Sequence, residues 1–202
     1  MPKPADDIVH LYERHARQWA ADRGTQLSGE KAWLDKFVKL LPIGATVLDL
    51  GCGSGEPIAR YLIGRGLTIT GVDTSPTLIS MCQARFPTSR WLVSDMRTLK
   101  LGERFAGILA WDSFFHLKIG DQRRMFAAFK RYASPGTVLM FTTGSRRGEA
   151  IGSYRGDPLY HASLSTKDYR SLLEAKGFRV TAHVTDDPDC GGHTVWLARA
   201  EP

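Results

Sequence analysis

The chain has 202 residues, enough for one well-filled hydrophobic core and too few for a second independent one of comparable size. Its 43% hydrophobic and 24% charged residues exclude a disordered chain, no apolar run is long enough to span a bilayer, and Met1 to Asp7 lack the apolar stretch of a signal peptide. A net charge of +6 admits an acidic partner such as RNA, but the basic residues fall in small scattered groups, such as Arg14/Arg17/Arg23 and Arg146/Arg147, without interleaved stacking aromatics. The odd set of cysteines, Cys52, Cys82 and Cys190, shows no metal-ligand spacing and argues against a disulfide framework. A cytoplasmic chain of one domain, without a metal site, is therefore expected.

From Ile8 to Arg23 the apolar and aromatic residues Ile8, Leu11, Tyr12, His15 and Trp19 recur at helical spacing and predict one amphipathic helix. A second helix follows Ser28-Gly29-Glu30, with Trp33, Phe37, Leu40 and Leu41 on one face, and stops before Pro42. Val47-Leu48-Asp49-Leu50 then reads as a short buried strand. Gly51, Gly53 and Gly55 form a turn without side-chain bulk, and a helix is expected from about Glu56, with Pro57 in its first turn. Strand, glycine turn and helix together make a seat for a nucleotide cofactor, because backbone N–H groups can approach a ligand closely there.

Two further apolar runs end in carboxylates. Leu67 to Val72 leads into Asp73, about 20 residues after the glycine loop, where an acid grips ribose hydroxyls in a βαβ unit. Trp91 to Ser94 leads into Asp95. Between them Ser75-Pro76 opens a helix. Phe105 to Ala110 reads as a strand buried on both faces, Met125 to Ala133 as a helix and Thr137 to Phe141 as a fifth strand. Ser145 to His161 reads as a long polar connection, Ser165 to Asp168 as a capping box, and Phe178 to Val184 and His193 to Arg199 as two final strands. The alternation predicts an α/β fold with a doubly wound, mostly parallel sheet and helices on both faces.

These residues resemble the class I S-adenosylmethionine-dependent methyltransferases, from about Val47 to the end of the chain. The first motif is Val47-Leu48-Asp49-Leu50-Gly51-Cys52-Gly53-Ser54-Gly55, the ribose acid stands in Gly71-Val72-Asp73-Thr74-Ser75, and the adenine acid in Ser94-Asp95-Met96. The resemblance implies a Rossmann-like seven-stranded sheet (residues 43–202) closing with an antiparallel strand pair, and an N-terminal helical cap (residues 1–42) whose Tyr12 and Trp19 line the site. It further implies that Asp73, beside Thr74, accepts from the ribose hydroxyls, and that Asp95 and the Met96 backbone read the adenine. Asp49, with the loop of Gly51, Cys52, Gly53 and Gly55, would seat the amino-acid end, and Trp111 would stand near the reactive side. The implied cofactor is S-adenosylmethionine.

An oxygen acceptor that is not already anionic needs a base, for which His116 and His161 are candidates. After Trp111 stands Asp112-Ser113-Phe114-Phe115, without the double proline common in enzymes that methylate adenine or glutamine amino groups, and no cysteine stands where a cytosine C5 enzyme needs one. Phe114, Phe115, Tyr154 and Tyr160 could wall a small-molecule pocket, with Arg146, Arg147 or Arg155 to hold a carboxylate. The expected partner is a small-molecule methyl acceptor rather than nucleic acid, met by a monomer or homodimer. RNA or protein as acceptor, an NAD-dependent oxidoreductase and a non-catalytic cofactor-binding scaffold stay open as alternatives. The NAD reading is weakened by Glu56, which stands where the dinucleotide fingerprint wants glycine or alanine.

Overall fold

The computed structural model describes residues 4–202. The N-terminal helices are α1 (Pro4–Arg14), α2 (Ala16–Arg23) and α3 (Lys31–Lys39). The sheet region runs β1 (Thr46–Leu50), α4 (Ile58–Gly64), β2 (Thr68–Asp73), α5 (Pro76–Arg85), β3 (Arg90–Val93), β4 (Phe105–Ala110), α6 (Ile119–Tyr132) and β5 (Ala133–Thr143). It continues through β6 (Gly148–Tyr154), β7 (Asp157–Ser163), α7 (Thr166–Ala175), β8 (Phe178–Asp187) and β9 (His193–Ala200).

Seven strands form one sheet in the order β3-β2-β1-β4-β5-β9-β8, parallel except for β9, which runs antiparallel to both β5 and β8. Residue alternation along each strand sends side chains to two separate cores. Leu48, Leu50, Ile108, Leu139, Phe141 and Trp196 face α6 and α7. Val47, Ile69, Leu109, Val138, Met140 and Leu197 face α3, α4 and α5. This is the doubly wound, mostly parallel sheet that the alternation predicts, with the seven strands and the antiparallel C-terminal pair that the resemblance implies.

Three local expectations are corrected. The single helix from Ile8 to Arg23 is two helices, broken at His15 (φ −105°, ψ 12°). The bonds His15 N to Leu11 O (3.1 Å) and Trp19 N to His15 O (2.8 Å) cross the break, so the helical spacing persists although the helix does not. The polar connection from Ser145 to His161 holds a two-stranded antiparallel sheet, β6 and β7. Its turn has Arg155 at φ 51° and Gly156 at φ 88°, the two left-handed residues of a tight two-residue hairpin. Because β6 is exposed on both faces, it carries no alternation from which a strand could be read. The helix expected from Glu56 begins at Ile58, and Glu56 instead accepts from Arg60 Nε at 2.8 and 2.9 Å.

Phe114, a candidate pocket wall, is fully buried, with its ring centroid 5.4 Å from Phe141, 5.7 Å from Phe129 and 6.0 Å from Phe126. It anchors the segment after β4 to the core. Phe114→Ala is expected to cost about 3–5 kcal/mol in denaturant unfolding. A cost below about 1 kcal/mol would show that this segment is held otherwise.

Candidate functional site

The strand order reverses between β1 and β4, and in open α/β sheets ligands bind beyond the carboxyl ends of the strands at such a point. There Gly51 turns with φ +81°, and its N–H and that of Cys52 donate to the Val72 carbonyl at 2.7 and 3.1 Å. A Cβ on Gly51 would lie 2.2 Å from Ser113 Cβ, whose own hydroxyl donates to the Leu50 carbonyl at 2.6 Å. A Cβ on Gly53 (φ +55°) would lie 2.6 Å from the Trp19 ring. The loop is thus pressed between the cap and the segment after β4, and neither glycine tolerates a side chain. Gly55 (φ +76°) serves packing instead, since its Cβ would meet Phe86 at 2.9 Å and Cys82 at 3.3 Å.

Above the loop opens a cleft of about 790 Å³, counting its mouth. Tyr12 and Trp19 roof it, Asp73, Thr74, Asp95 and Met96 line one side, and Asp112, Ser113 and His116 line another. Asp73 accepts from Gly53 N at 3.0 Å and Ser75 N at 2.9 Å. Burial raises its carboxyl above the usual range, against the pull of those backbone donors. Asp49 is buried beneath the loop, and burial together with the nearby Asp73 raises its pKa to about 7. Asp95 is the exception: burial raises it, but Arg97, whose Nε lies 2.9 Å from both oxygens, outweighs that and lowers it.

Of the residues proposed from sequence, the structure brings Tyr12, Trp19, Gly51, Gly53, Asp73, Thr74, Asp95, Met96 and His116 to this cleft. Cys52 instead packs in the core under α5, and Asp49 sits below the surface. Trp111 does not reach the cleft. It follows Leu109 in strand alternation onto the opposite face of the sheet, where its ring lies 5.8 Å from that of His193. His161 lies outside the cleft on β7, its ring centroid 4.9 Å from that of His116. Among the other candidates, Tyr154 OH and Arg155 both bond Asp22, at 2.8 Å and 3.0 Å.

His116 is held at both nitrogens. Its Nδ1 lies 2.8 Å from the Tyr160 carbonyl, which can only accept, so Nδ1 carries the proton and Nε2 accepts from Tyr12 OH at 2.7 Å. Burial lowers its pKa to about 4. His116 is therefore a neutral strut between cap and core, and its basic nitrogen is already bonded.

Sequence reasoning missed the pair Asp112 and His193, which are 2.9 Å apart. His193 Nδ1 lies 2.5 Å from the Cys190 carbonyl, so it donates, and Nε2 donates to the Asp112 carboxylate. Two donating nitrogens make an imidazolium. The Asp112 hydrogen bond accordingly raises its pKa to about 9, against burial. The chain separates the partners by 81 positions, but Asp112 at a strand end beside three other strand-end acids was the available signal.

A carboxylate-rich cleft at the switch point of a doubly wound sheet defines a nucleotide-cofactor-binding α/β protein. The chain belongs to the family described as "Methyltransferase domain", whose model matches residues 12–183. It is 28% identical over 158 residues to magnesium-protoporphyrin O-methyltransferase of Rhodobacter capsulatus, covering 69% of each chain. It is 31% identical over 99 residues to malonyl-[acyl-carrier protein] O-methyltransferase of Salmonella typhimurium, but that match covers 49% of this chain and 39% of the relative. The chain spans less than half the length of that relative. Its fold is like that of magnesium protoporphyrin IX methyltransferase from Synechocystis PCC 6803, solved with bound SAM (TM-score 0.76, 15% identity, 100% of this chain and 99% of that one). It is also like that of 1,6-didemethyltoxoflavin-N1-methyltransferase from Burkholderia thailandensis (TM-score 0.73, 19% identity, 100% and 92%).

Two outcomes follow from the electrostatics. Asp49 carries stored desolvation cost above its raised pKa, so at pH 8 Asp49→Asn is expected to raise Tm, by roughly 2–4 °C for each kcal/mol relieved. A lower Tm would show that the carboxylate is stabilised where it stands. The folded pKa of His193, near 9, exceeds its ordinary 6.5, so the pair's stabilisation is full below pH 6.5 and is lost as pH rises through 9. An NMR titration is expected to find the His193 midpoint near 9, falling toward 6.5 in Asp112→Asn. A wild-type midpoint near 6.5 would overturn the ion pair.

Proposed function

We propose that the protein is an S-adenosylmethionine-dependent methyltransferase whose acceptor is a small molecule. The reading is carried by two carboxylates at the floor of the cleft: Asp73 lines it half-buried, Asp49 is buried beneath the loop, and neither has a cationic side chain among the groups acting on it. Such a site repels the pyrophosphate of a dinucleotide and favours an adenosine bearing an ammonium and a sulfonium. Residues 1–42 serve as the cap and 43–202 as the catalytic sheet of one domain, in a cytoplasmic protein that acts as a monomer or homodimer.

S-adenosylmethionine supplies a methyl group already activated by the positive charge on its sulfur. The protein's task is then to bind, orient and exclude water. Asp73, beside Thr74, takes the ribose hydroxyls, while Asp95 and the Met96 backbone take the adenine; the Asp95 oxygens have lone pairs beyond those that Arg97 uses. Asp49 draws the ammonium down onto the loop of Gly51 and Gly53, which lowers its own raised pKa. Trp19 and Tyr12 close the cap over the ligand. The relatives from Rhodobacter capsulatus and Burkholderia thailandensis are named for small acceptors, magnesium-protoporphyrin and 1,6-didemethyltoxoflavin, which supports an acceptor of that size here.

Calorimetry with S-adenosylmethionine, S-adenosylhomocysteine and NAD is expected to show micromolar binding of the first two and none of NAD. Asp73→Ala should weaken both by at least tenfold, about 1.4 kcal/mol. A folded protein that binds neither adenosyl ligand, or that binds NAD more tightly, would refute the proposal.

A further inference from the structure

Asp112 lines the cofactor cleft together with Tyr12, Trp19 and His116, and its side chain is 32% exposed. One of its two oxygens does all the bonding: Oδ1 takes His193 Nε2 at 2.9 Å and Thr142 Oγ1 at 3.3 Å. Among the described residues Oδ2 has no partner. The residue is held at φ 48°, with its N–H bonded to Thr142, so this oxygen is presented by a turn that is costly to form. Ser113, the next residue, presses on Gly51, which sets Asp112 beside the loop proposed for the amino-acid end of the cofactor. Asp73 and Asp95 line the same space, and no wall stands between them and Asp112.

The charge of this space favours a cation. Arg97, the one arginine or lysine among the described residues lining it, turns its Nε to both oxygens of Asp95 at 2.9 Å. The rings of Tyr12 and Trp19, with centroids 5.9 Å apart and planes at 80°, add faces that attract positive charge. A phenolate, carboxylate or phosphate entering here meets like charge. An ammonium meets the opposite one.

The lining groups also lack a base for a hydroxyl. His116 is engaged at both nitrogens, and the Tyr12 hydroxyl spends its proton on it. Asp6 bonds Lys118, and Asp73 and Asp95 are taken by adenosine in the proposed complex. A carboxylate is too weak a base to take a phenol's proton, by about 6 pKa units. An amine needs no such help, because its neutral fraction already carries a lone pair, and its nitrogen becomes positive as the methyl arrives.

We propose that the methyl acceptor is a primary or secondary amine bound in this same cleft, and that Asp112 Oδ2 accepts a hydrogen bond from its N–H, orienting the lone pair and stabilising the positive charge that grows on nitrogen. The inference rests on the methyltransferase reading and names its substrate class. The nitrogen lone pair forms the new N–CH3 bond, and the S–CH3 pair stays on sulfur, leaving S-adenosylhomocysteine. The methylated ammonium then gives its extra proton to water. His193 is a positioning residue, fixing Oδ1 so that Oδ2 is left for the amine.

The test uses the full chain loaded with S-adenosylhomocysteine, whose own calorimetric binding is measured first, so that failure of the cofactor reading is seen separately. Benzylamine, benzyl alcohol and benzoate are then titrated at pH 7. Benzylamine is expected to bind at least tenfold more tightly than either of the others. Asp112→Asn should remove that preference while still binding S-adenosylhomocysteine and matching the wild type in circular dichroism. His193→Gln keeps the carboxylate and removes the neighbouring positive charge, so it should bind benzylamine at least as tightly as the wild type. With S-adenosylmethionine, kcat for benzylamine should fall at least tenfold in Asp112→Asn and less than threefold in His193→Gln. Equal losses in the two variants would make the pair a structural brace and overturn the role of Oδ2. No binding of benzylamine by the loaded chain, binding of benzyl alcohol or benzoate as tight as that of the amine, or faster methylation of phenol than of benzylamine would overturn the amine acceptor.

Discussion

Two carboxylates stand at the carboxyl ends of adjacent parallel strands without a cation beside them, Asp49 buried and Asp73 half-buried, and this constraint shapes the rest of the site. Burial disfavours their charged forms, and Asp73 raises the cost of charging Asp49 as Glu13 raises that of charging Asp73. The chain relieves Asp73 in part with the N–H groups of Gly53 and Ser75, and Gly53 brings its N–H this close without a side chain of its own. Asp49 receives no comparable relief. An unpaired buried acid costs stability that a protein keeps when a ligand can recover it, and a cationic ligand recovers most.

What was legible in the sequence was local. The glycine loop, Asp73 and Asp95 each terminate an apolar run, and a run's end fixes a residue's position at the sheet edge without knowledge of the remaining fold. Trp111 was misplaced because position along a strand does not by itself give the face; Leu109 and Trp111 share one, and counting by two from the buried Leu109 shows it. The β6–β7 hairpin was illegible because neither face of β6 is buried, so hydrophobic alternation has nothing to mark. The Asp112–His193 pair depends on β9 returning beside β5, a long-range pairing that no spacing encodes.

The break at His15 follows from what its neighbours bind. Glu13 accepts from Thr77 Oγ1 at 2.6 Å, Arg14 and His15 both reach Asp157 at 3.0 and 2.9 Å, and Tyr12 reaches His116. Four consecutive residues thus fasten α1 to α5, to the hairpin and to the segment after β4. A continuous helix would rotate these side chains 100° apart around one axis, and releasing one residue from helical geometry lets them serve partners on several sides. The hairpin that sequence left as a loop is therefore what the cap stands on.

Asp112 ties these levels together. Strand alternation would carry the residue after Trp111 back toward the α6 side, but Asp112 has φ 48°, a left-handed conformation that an aspartate adopts at some cost. Its N–H donates to Thr142 Oγ1 at 2.8 Å and its carboxylate meets His193, so two neighbouring strands hold it there. Leaving the strand at this residue does two things at once. It sets the carboxylate in the wall of the cleft, paired with His193, and it swings Ser113 against Gly51, where the contact that bars a side chain from that position is made. The floor of the cleft and the polarity of its wall thus come from one strained turn, and a substitution that relaxed Asp112 toward ordinary strand geometry would alter both together.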